Sequence, residues 1–128
     1  RTPQIHWERR IDGTPRPLPT EVEVTLLRAA QASTENVLQH ADASRVVVSV
    51  AFSDAEVTLD IADDGVGFDP DHAPGPDSFG IRGITERAEA VGGVCVVESS
   101  PGDGTVIGLR CPVPVADIPV AHVVEETP

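Results

Sequence analysis

Lysine is missing from this chain: all nine basic residues are arginines. A P-loop needs a Lys that reaches the phosphates. A eukaryotic-type protein kinase needs a strand Lys, and Schiff-base chemistry needs a Lys amine. All three classes are excluded. Positive charge is scarce in any form, since nine Arg stand against 21 Asp and Glu for a net charge of −12. A chain this acidic repels duplex nucleic acid and anionic membranes, both of which are bound through neutralised phosphates. Any polyanionic ligand must be held by local dipoles and a metal ion against that field. Cysteine is nearly absent too. Cys95 and Cys111 are too few for a disulfide framework and lack metal-ligand spacing, and the four histidines (His6, His40, His72, His122) do not cluster around them. They read as two small hydrophobes in strands of a reduced, cytosolic domain. No apolar run approaches the ~18 residues of a membrane span, and no basic-then-apolar signal segment opens the chain. The chain starts at Arg1 rather than Met, as expected of a piece of something longer.

What is present is one domain's worth of chain, 128 residues with 40% hydrophobic content, enough for a core without covalent staples. Residues 4–12 alternate loosely and read as a strand, and GTPRPLP makes a loop. Thr20 followed by Glu23 reads as a capping box opening a helix. Its stripe (Val22, Leu26, Leu27, Ala29, Ala30, Ser33, Val37, Leu38) runs to about Ala41. Residues 45–52 put Val46, Val48, Val50 and Phe52 on one face, and residues 56–62 do the same with Val57, Leu59 and Ile61. A short polar turn joins them into an antiparallel hairpin with one wet face. Residues 63–80 form a long Gly-, Pro- and Asp-rich loop, of the kind that is functional or disordered. A second helix carries Ile81, Ile84, Ala88 and Val91 on one face and stops at Gly92-Gly93. Strands at 94–99 and 105–111 flank an SPGDG turn. The order β-α-β-β-loop-α-β-β predicts an α+β fold, a two-layer sandwich of a mixed, mostly antiparallel sheet with helices on one face. The expected domain is 1–112, followed by a Pro-rich tail at 113–128.

Four places could carry chemistry. DDGVG at 63–67 follows a strand, so its first carboxylate can accept from an exocyclic amine such as adenine presents; it also reads as a plain Asp-Gly turn. Asn36 stands one turn after Ala32 and one turn before His40. Its carbonyl oxygen suits a hard cation such as Mg²⁺, although taken alone it reads rather as a solvated or side-chain-capped Asn. Gly80-Ile81-Arg82-Gly83 opens a helix whose free N–H groups favour phosphate, or merely closes a loop. Gly102-Asp103-Gly104-Thr105 alone is an ordinary hairpin turn.

Taken in order, NVLQHA, DDGVGF, the Gly/Pro-rich loop, FGIRGITERAEAVGG and SSPGDGT strongly resemble the catalytic and ATP-binding domain of bacterial sensor histidine kinases. That domain shares its Bergerat-type fold with gyrase, the heat-shock chaperone ATPases and the mismatch-repair ATPases. The likeness covers about residues 20–112, and the compact loop and GIRGITERAEAVGG helix look like the nitrate/nitrite-sensor subfamily. The resemblance implies ATP and Mg²⁺ as the bound groups. Asn36 would ligate the Mg²⁺ that bridges the phosphates. Asp63 would bind the adenine amine, with Gly65 and Gly67 shaping the pocket and Thr105 supporting Asp63. Residues 68–79 would be the ATP lid, and Gly80 and Gly83 would cradle phosphates. Arg82 is a further phosphate contact or faces solvent.

Two positions depart from the pattern. Where the family carries QEALTN this chain has QASTEN, so the expected Glu is Ala32; Glu35 lies ~300° further round the helix. A basic residue common three positions after the Asn is Gln39. Both changes would lower turnover while leaving adenine binding intact. The implied function is phosphoryl transfer from ATP to a histidine on a separate dimerisation domain, for relay to a response-regulator aspartate. The expected setting is cytoplasmic, without nucleic acid or direct membrane contact, with a monomeric fragment and a homodimeric full-length protein. No histidine here sits in an acceptor motif, so the fragment alone should bind ATP weakly and not autophosphorylate. Two other readings fit the same residues: a nucleotide-binding or docking module without catalysis, and an anti-sigma-factor serine kinase.

Overall fold

The computed structural model describes residues 4–69, 71 and 80–113, excepting the side chains of residues 40 and 41. Most of the expected lid (70, 72–79) and the tail from residue 114 lie outside the described residues. The elements follow the expected order. They are β1 (His6–Asp12), α1 (Thr20–Asn36), a π turn (Val37–Ala41), β2 (Arg45–Phe52), β3 (Glu56–Asp63), α2 (Ile81–Ala90), β4 (Val94–Ser99) and β5 (Thr105–Pro112). The five strands lie in the order β1-β2-β3-β5-β4. β1 runs parallel to β2, and every other neighbouring pair is antiparallel. The sheet is therefore mixed and mostly antiparallel, and α1 is the crossover that lets β1 and β2 lie parallel.

The strands' alternation decides which face is dry. Val46, Leu59, Ile61, Ile107 and Leu109 are buried against Ala29 of α1 and Ile84 and Ala88 of α2 in one core cluster. A second cluster at the other end of α1 joins Val22, Val57, Cys111 and Val113. Both cysteines are free, Cys111 buried and Cys95 half-buried, and burial pushes both thiols up. Val113, assigned to the tail by sequence, is buried and donates its N–H to the Ala55 carbonyl at 2.8 Å. On the opposite sheet face Val94 and Val96 remain about half exposed.

Two local expectations are corrected. The N-cap of α1 is Pro19, and no side chain caps it. The Pro19 carbonyl accepts from both Val22 and Glu23 N–H at 3.0 Å, so the Glu23 N–H that the box would have given to the Thr20 side chain is bonded to the main chain instead. The helix also does not run as α to Ala41. It changes to a π turn after Asn36, and Asp42 closes it in the left-handed region at φ 51°, a conformation Asp tolerates. The four-residue spacing that aligned Asn36 with His40 belongs to an α-helix and does not apply across this turn. The close of α2 is as expected: Gly92 donates to Glu89 and Gly93 to Ala88 (3.0 and 2.7 Å), the paired bonds of a Schellman motif.

Candidate functional site

Beside that π turn, where α1 meets the ends of β3 and β5, the structure holds a cavity of about 200 Å³. Pockets for drug-sized ligands run ~300–1,000 Å³, so this one suits a flat heterocycle more than a whole nucleotide. Val37, Val66, Ile61, Ile107 and Phe68 give it apolar walls, and Ser33, Asn36, Asp63 and Thr105 bring polar groups. Four sequence candidates, Asn36, Asp63, Gly67 and Thr105, thus line one space.

Strand parity puts Asp63 there. It follows Val57, Leu59 and Ile61 at period two on the inward face of β3, opposite Thr105 on β5. Burial pushes its carboxyl above the usual carboxylate range. The Gly65 N–H, bonded to Oδ1 at 2.8 Å, pulls the other way, the nearby Asp64 charge raises it further, and the Thr105 main chain lowers it. Asp64, one residue on, has left the strand. Its Oδ1 accepts the N–H groups of Ser44 and Arg45 (2.8 and 2.9 Å) and its Oδ2 the Ser44 hydroxyl at 2.7 Å. The Ser44 hydroxyl, then the two backbone N–H groups, hold Asp64 below the usual range. The doublet therefore divides into a half-buried group facing the cavity and an exposed clasp on the α1–β2 connection.

The opposite shifts predict opposite pH signatures. A raised carboxyl makes the folded state bind the proton more tightly, so Asp63 costs stability as pH rises through and above its elevated pKa. A lowered one contributes stability that is lost as pH falls through its depressed pKa. In thermal unfolding across the acidic range, Asp63→Asn should gain on the parent as pH rises. Asp64→Asn should lose on it over the same rise. Difference curves with the same sign would contradict the assignment.

Glycines and one serine hold the cavity's rim. Gly67 has φ +65°, and a Cβ there would lie 2.1 Å from the Ser100 carbonyl oxygen and 2.9 Å from that of Gly104. Its smallness serves the contact between the post-β3 segment and the β4–β5 turn. Gly65 is buried and contributes its N–H to Asp63. Ser99, which sequence reading missed, joins three pieces. Its Oγ accepts the Phe68 N–H at 2.9 Å, donates to the Gly104 carbonyl at 3.0 Å, and lies 2.8 Å from the Thr105 hydroxyl. Cys95, Val97 and Ser99 share one parity on β4, which is the signal that could have found it. Ser99→Ala should cost about 1–3 kcal/mol of stability, because it strands a partly buried N–H. It should also weaken any ligand of the cavity; denaturant titration together with a binding titration checks both.

A second groove opens on the outer side of α1. Arg28, Ala32 and Glu35 line it from α1, and Gly80, Gly83 and Arg87 from the start and body of α2. Gly80 is the N-cap of α2 at φ 68°, and a Cβ built on it would lie 3.6 Å from the Ala32 Cβ. The first bond of the helix runs from Ile84 N–H to the Gly80 carbonyl at 3.2 Å, so the amides of Ile81, Arg82 and Gly83 have no partner within the helix. Among the described residues outside its own helix, a Cβ on Gly83 would meet nothing within 4 Å. Sequence reading missed Arg28 and Arg87. Arg82 is exposed and paired with Glu86 at 3.3 Å; it lines neither space. Among the described residues no three His, Cys, Asp or Glu gather into a metal-binding group, and no helix is long and apolar enough to cross a membrane.

Residues 21–115 match the family described as histidine kinase-, DNA gyrase B- and HSP90-like ATPase. A signal transduction histidine-protein kinase/phosphatase, DegS of Brevibacillus brevis, is 36% identical over 95 residues, covering 74% of this chain and 24% of that protein. The sensor histidine kinase LiaS of Bacillus subtilis is 36% identical over 92 residues, 72% of this chain and 25% of that one. The chain thus spans about a quarter of the length of the curated relatives it matches. Among solved structures, the ATP-binding domain of PrrB from Mycobacterium tuberculosis superposes with a TM-score of 0.61 at 25% identity, over 88% of this chain and 82% of that one. The histidine kinase domain of a blue-light-activated kinase from Erythrobacter litoralis superposes at 0.65 with 22% identity, over 84% and 55%. With a half-buried carboxylate at the end of β3 and an amide at the end of α1 lining one cavity inside the matched region, the chain belongs to the histidine kinase-, DNA gyrase B- and HSP90-like ATPase family.

Proposed function

We propose that this domain binds Mg·ATP and supplies the catalytic half of a sensor histidine kinase, transferring the γ-phosphoryl group to a histidine on a separate dimerisation domain. The observation that carries it is Asp63, half-buried at a cavity the size of a heterocycle to which Val37, Ile61, Val66, Phe68 and Ile107 give apolar walls. A carboxylate there accepts from the adenine amine, and the apolar walls take the ring faces. The base enters between α1 and the sheet, and the phosphates extend past Asn36 toward the α2 N-terminus. There the amides of Ile81, Arg82 and Gly83, with Arg28 and Arg87 at the groove, offset phosphate charge. That local positive field matters because the whole chain carries −12.

The donor set fits Mg²⁺ as it usually binds phosphates, through one or two protein oxygens and several waters rather than a protein cage. Asn36 is the residue that would hold it, through its amide oxygen, and the ion supplies charge neutralisation along the phosphates. Ala32 stands where a carboxylate would act beside Gly80. The groove there keeps Glu35 and two arginines, which supports nucleotide binding with slow transfer. The acceptor histidine, a cytoplasmic setting and a cognate response regulator follow from the sensor-kinase reading. The GIRGITERAEAVGG helix supports placement in the nitrate/nitrite-type branch.

The test is a calorimetric titration of this chain with Mg·ATP and Mg·ADP, followed by a phosphotransfer assay with the dimerisation segment supplied. Saturable binding, with phosphohistidine formed only when that segment is present, is expected. No binding up to millimolar nucleotide would overturn the reading.

A further inference from the structure

The buried stripe of α1 carries two hydroxyls, and they behave differently. Val22, Thr25, Ala29 and Ser33 are its buried residues. Thr25 donates back to the Glu21 carbonyl one turn earlier at 2.8 Å, the usual way a helix satisfies a buried hydroxyl. Ser33 is 1% exposed, and its Oγ has no hydrogen-bond partner. The same back-bond, to the Ala29 carbonyl, is open to a serine by sequence spacing alone, yet it is not made. Buried polar side chains are satisfied in the large majority of cases, and an orphan is costly.

Position accounts for the orphan. Ser33 lines the cavity with Asp63 and Thr105. The Thr105 hydroxyl is engaged with Ser99, and Asp63 Oδ1 is engaged with the Gly65 N–H. The Ser33 Oγ is therefore a buried polar atom beside the cavity with no partner and its bonding capacity unspent. A hydroxyl can donate to a ring nitrogen. An aminopurine offers both an amine to Asp63 and an unprotonated ring nitrogen to Ser33. Ser33 also occupies the place where the QEALTN pattern has Ala, so the hydroxyl is a feature this chain adds.

We propose that Ser33 is a base-recognition residue, its hydroxyl bonding a ring nitrogen of the adenine whose amine is held by Asp63. This rests on the adenine-binding reading above and assigns a specificity role to a residue outside the expected set. The hydroxyl would be left orphaned in the empty protein so that it is available to the base.

The experiment is a binding cycle on the whole chain. ATP and its 1-deaza, 3-deaza and 7-deaza analogues are titrated calorimetrically into the parent, Ser33→Ala and Ser33→Cys, and each protein is melted without nucleotide. Ser33→Ala should bind ATP about five- to tenfold more weakly, as one lost hydrogen bond in a dry site does. One deaza analogue should bind the parent more weakly than ATP, and that penalty should vanish in Ser33→Ala. Nucleotide-free melting should be unchanged or higher, since the variant removes an orphan. Equal ATP affinity in parent and Ser33→Ala, or identical deaza penalties for all three analogues, overturns the proposal. So does a lower melting temperature with unchanged affinity, which marks the hydroxyl as structural. Ser33→Cys, near in volume with a weak donor, decides the case if the alanine variant does not fold; parent-like deaza penalties and affinity in it also overturn the proposal. If the parent binds no nucleotide, the reading of the whole site fails. If Asp63→Asn loses ATP while Ser33→Ala matches the parent, this inference alone fails.

Discussion

Asp63→Asn is expected to weaken ATP binding by about 30- to 100-fold while leaving the nucleotide-free fold at least as stable at neutral pH. The substitution keeps shape and removes charge. An Asn whose carbonyl oxygen retains the Gly65 N–H, which Oδ1 now accepts at 2.8 Å, must aim its NH₂ toward the ligand. A donor then faces the adenine amine, itself a donor. Losing a charge-assisted hydrogen bond costs ~1.5–3 kcal/mol, and each ~1.4 kcal/mol is tenfold in affinity. The same NH₂ suits guanine, whose O6 is an acceptor at the equivalent ring position, so the ratio of GTP to ATP affinity should rise. Stability should move the other way, because burial holds the Asp63 carboxyl above the usual range and the variant removes the group that disfavours its own ionised form. Calorimetry with ATP and GTP and thermal unfolding at neutral pH measure both. An unchanged ATP affinity would remove the carboxylate from the account of the pocket.

The same strand parity shows how much of the site was legible. Placing Val57, Leu59 and Ile61 on one face of β3 already places Asp63 on it and Asp64 off it, because a strand's side chains alternate strictly. The DDG doublet looks symmetric as text and is resolved by counting. Element order, the hairpin of β2 and β3, and the closing of α2 at Gly92 were legible for the same reason: each is a local pattern with a local cause. The capping box failed because Pro19, one residue earlier, presents its carbonyl to Val22 and Glu23, and a motif search for Thr and Glu does not weigh that competitor. The π turn after Asn36 was illegible because Val37 and Leu38 continue an apolar stripe that either helix type satisfies. The parallel pairing of β1 with β2 depends on where a crossover lands, which no strand states about itself. Arg28 and Arg87 meet at one groove from different helices, and a linear sequence does not bring them together.

Gly83→Ala should separate folding from binding in a second way, stabilising the empty protein and impairing the nucleotide complex. Gly83 is the third residue of α2, where a glycine spends backbone entropy that an alanine would not. Among the described residues outside its own helix backbone and chain neighbours, no atom stands within 4 Å of the Cβ an alanine would add, and the backbone there is helical, so these residues give no steric reason for glycine. The nucleotide-free domain should therefore gain about 0.5–1 kcal/mol, or roughly 2–6 °C in Tm for a domain of this size. Gly83 lines the groove shared with Ala32 and Gly80, where the proposed phosphates approach the amides of the first turn and an added methyl would crowd them. Displacing an anion from backbone donors lengthens several hydrogen bonds at once, and ATP affinity should fall by about tenfold or more. Adenosine, which carries the base without phosphates, should bind the variant and the parent alike. That contrast decides the geometry: a variant that loses ATP and adenosine equally would place the phosphates somewhere other than the α2 N-terminus, and one that loses neither would leave Gly83 without a role in the site.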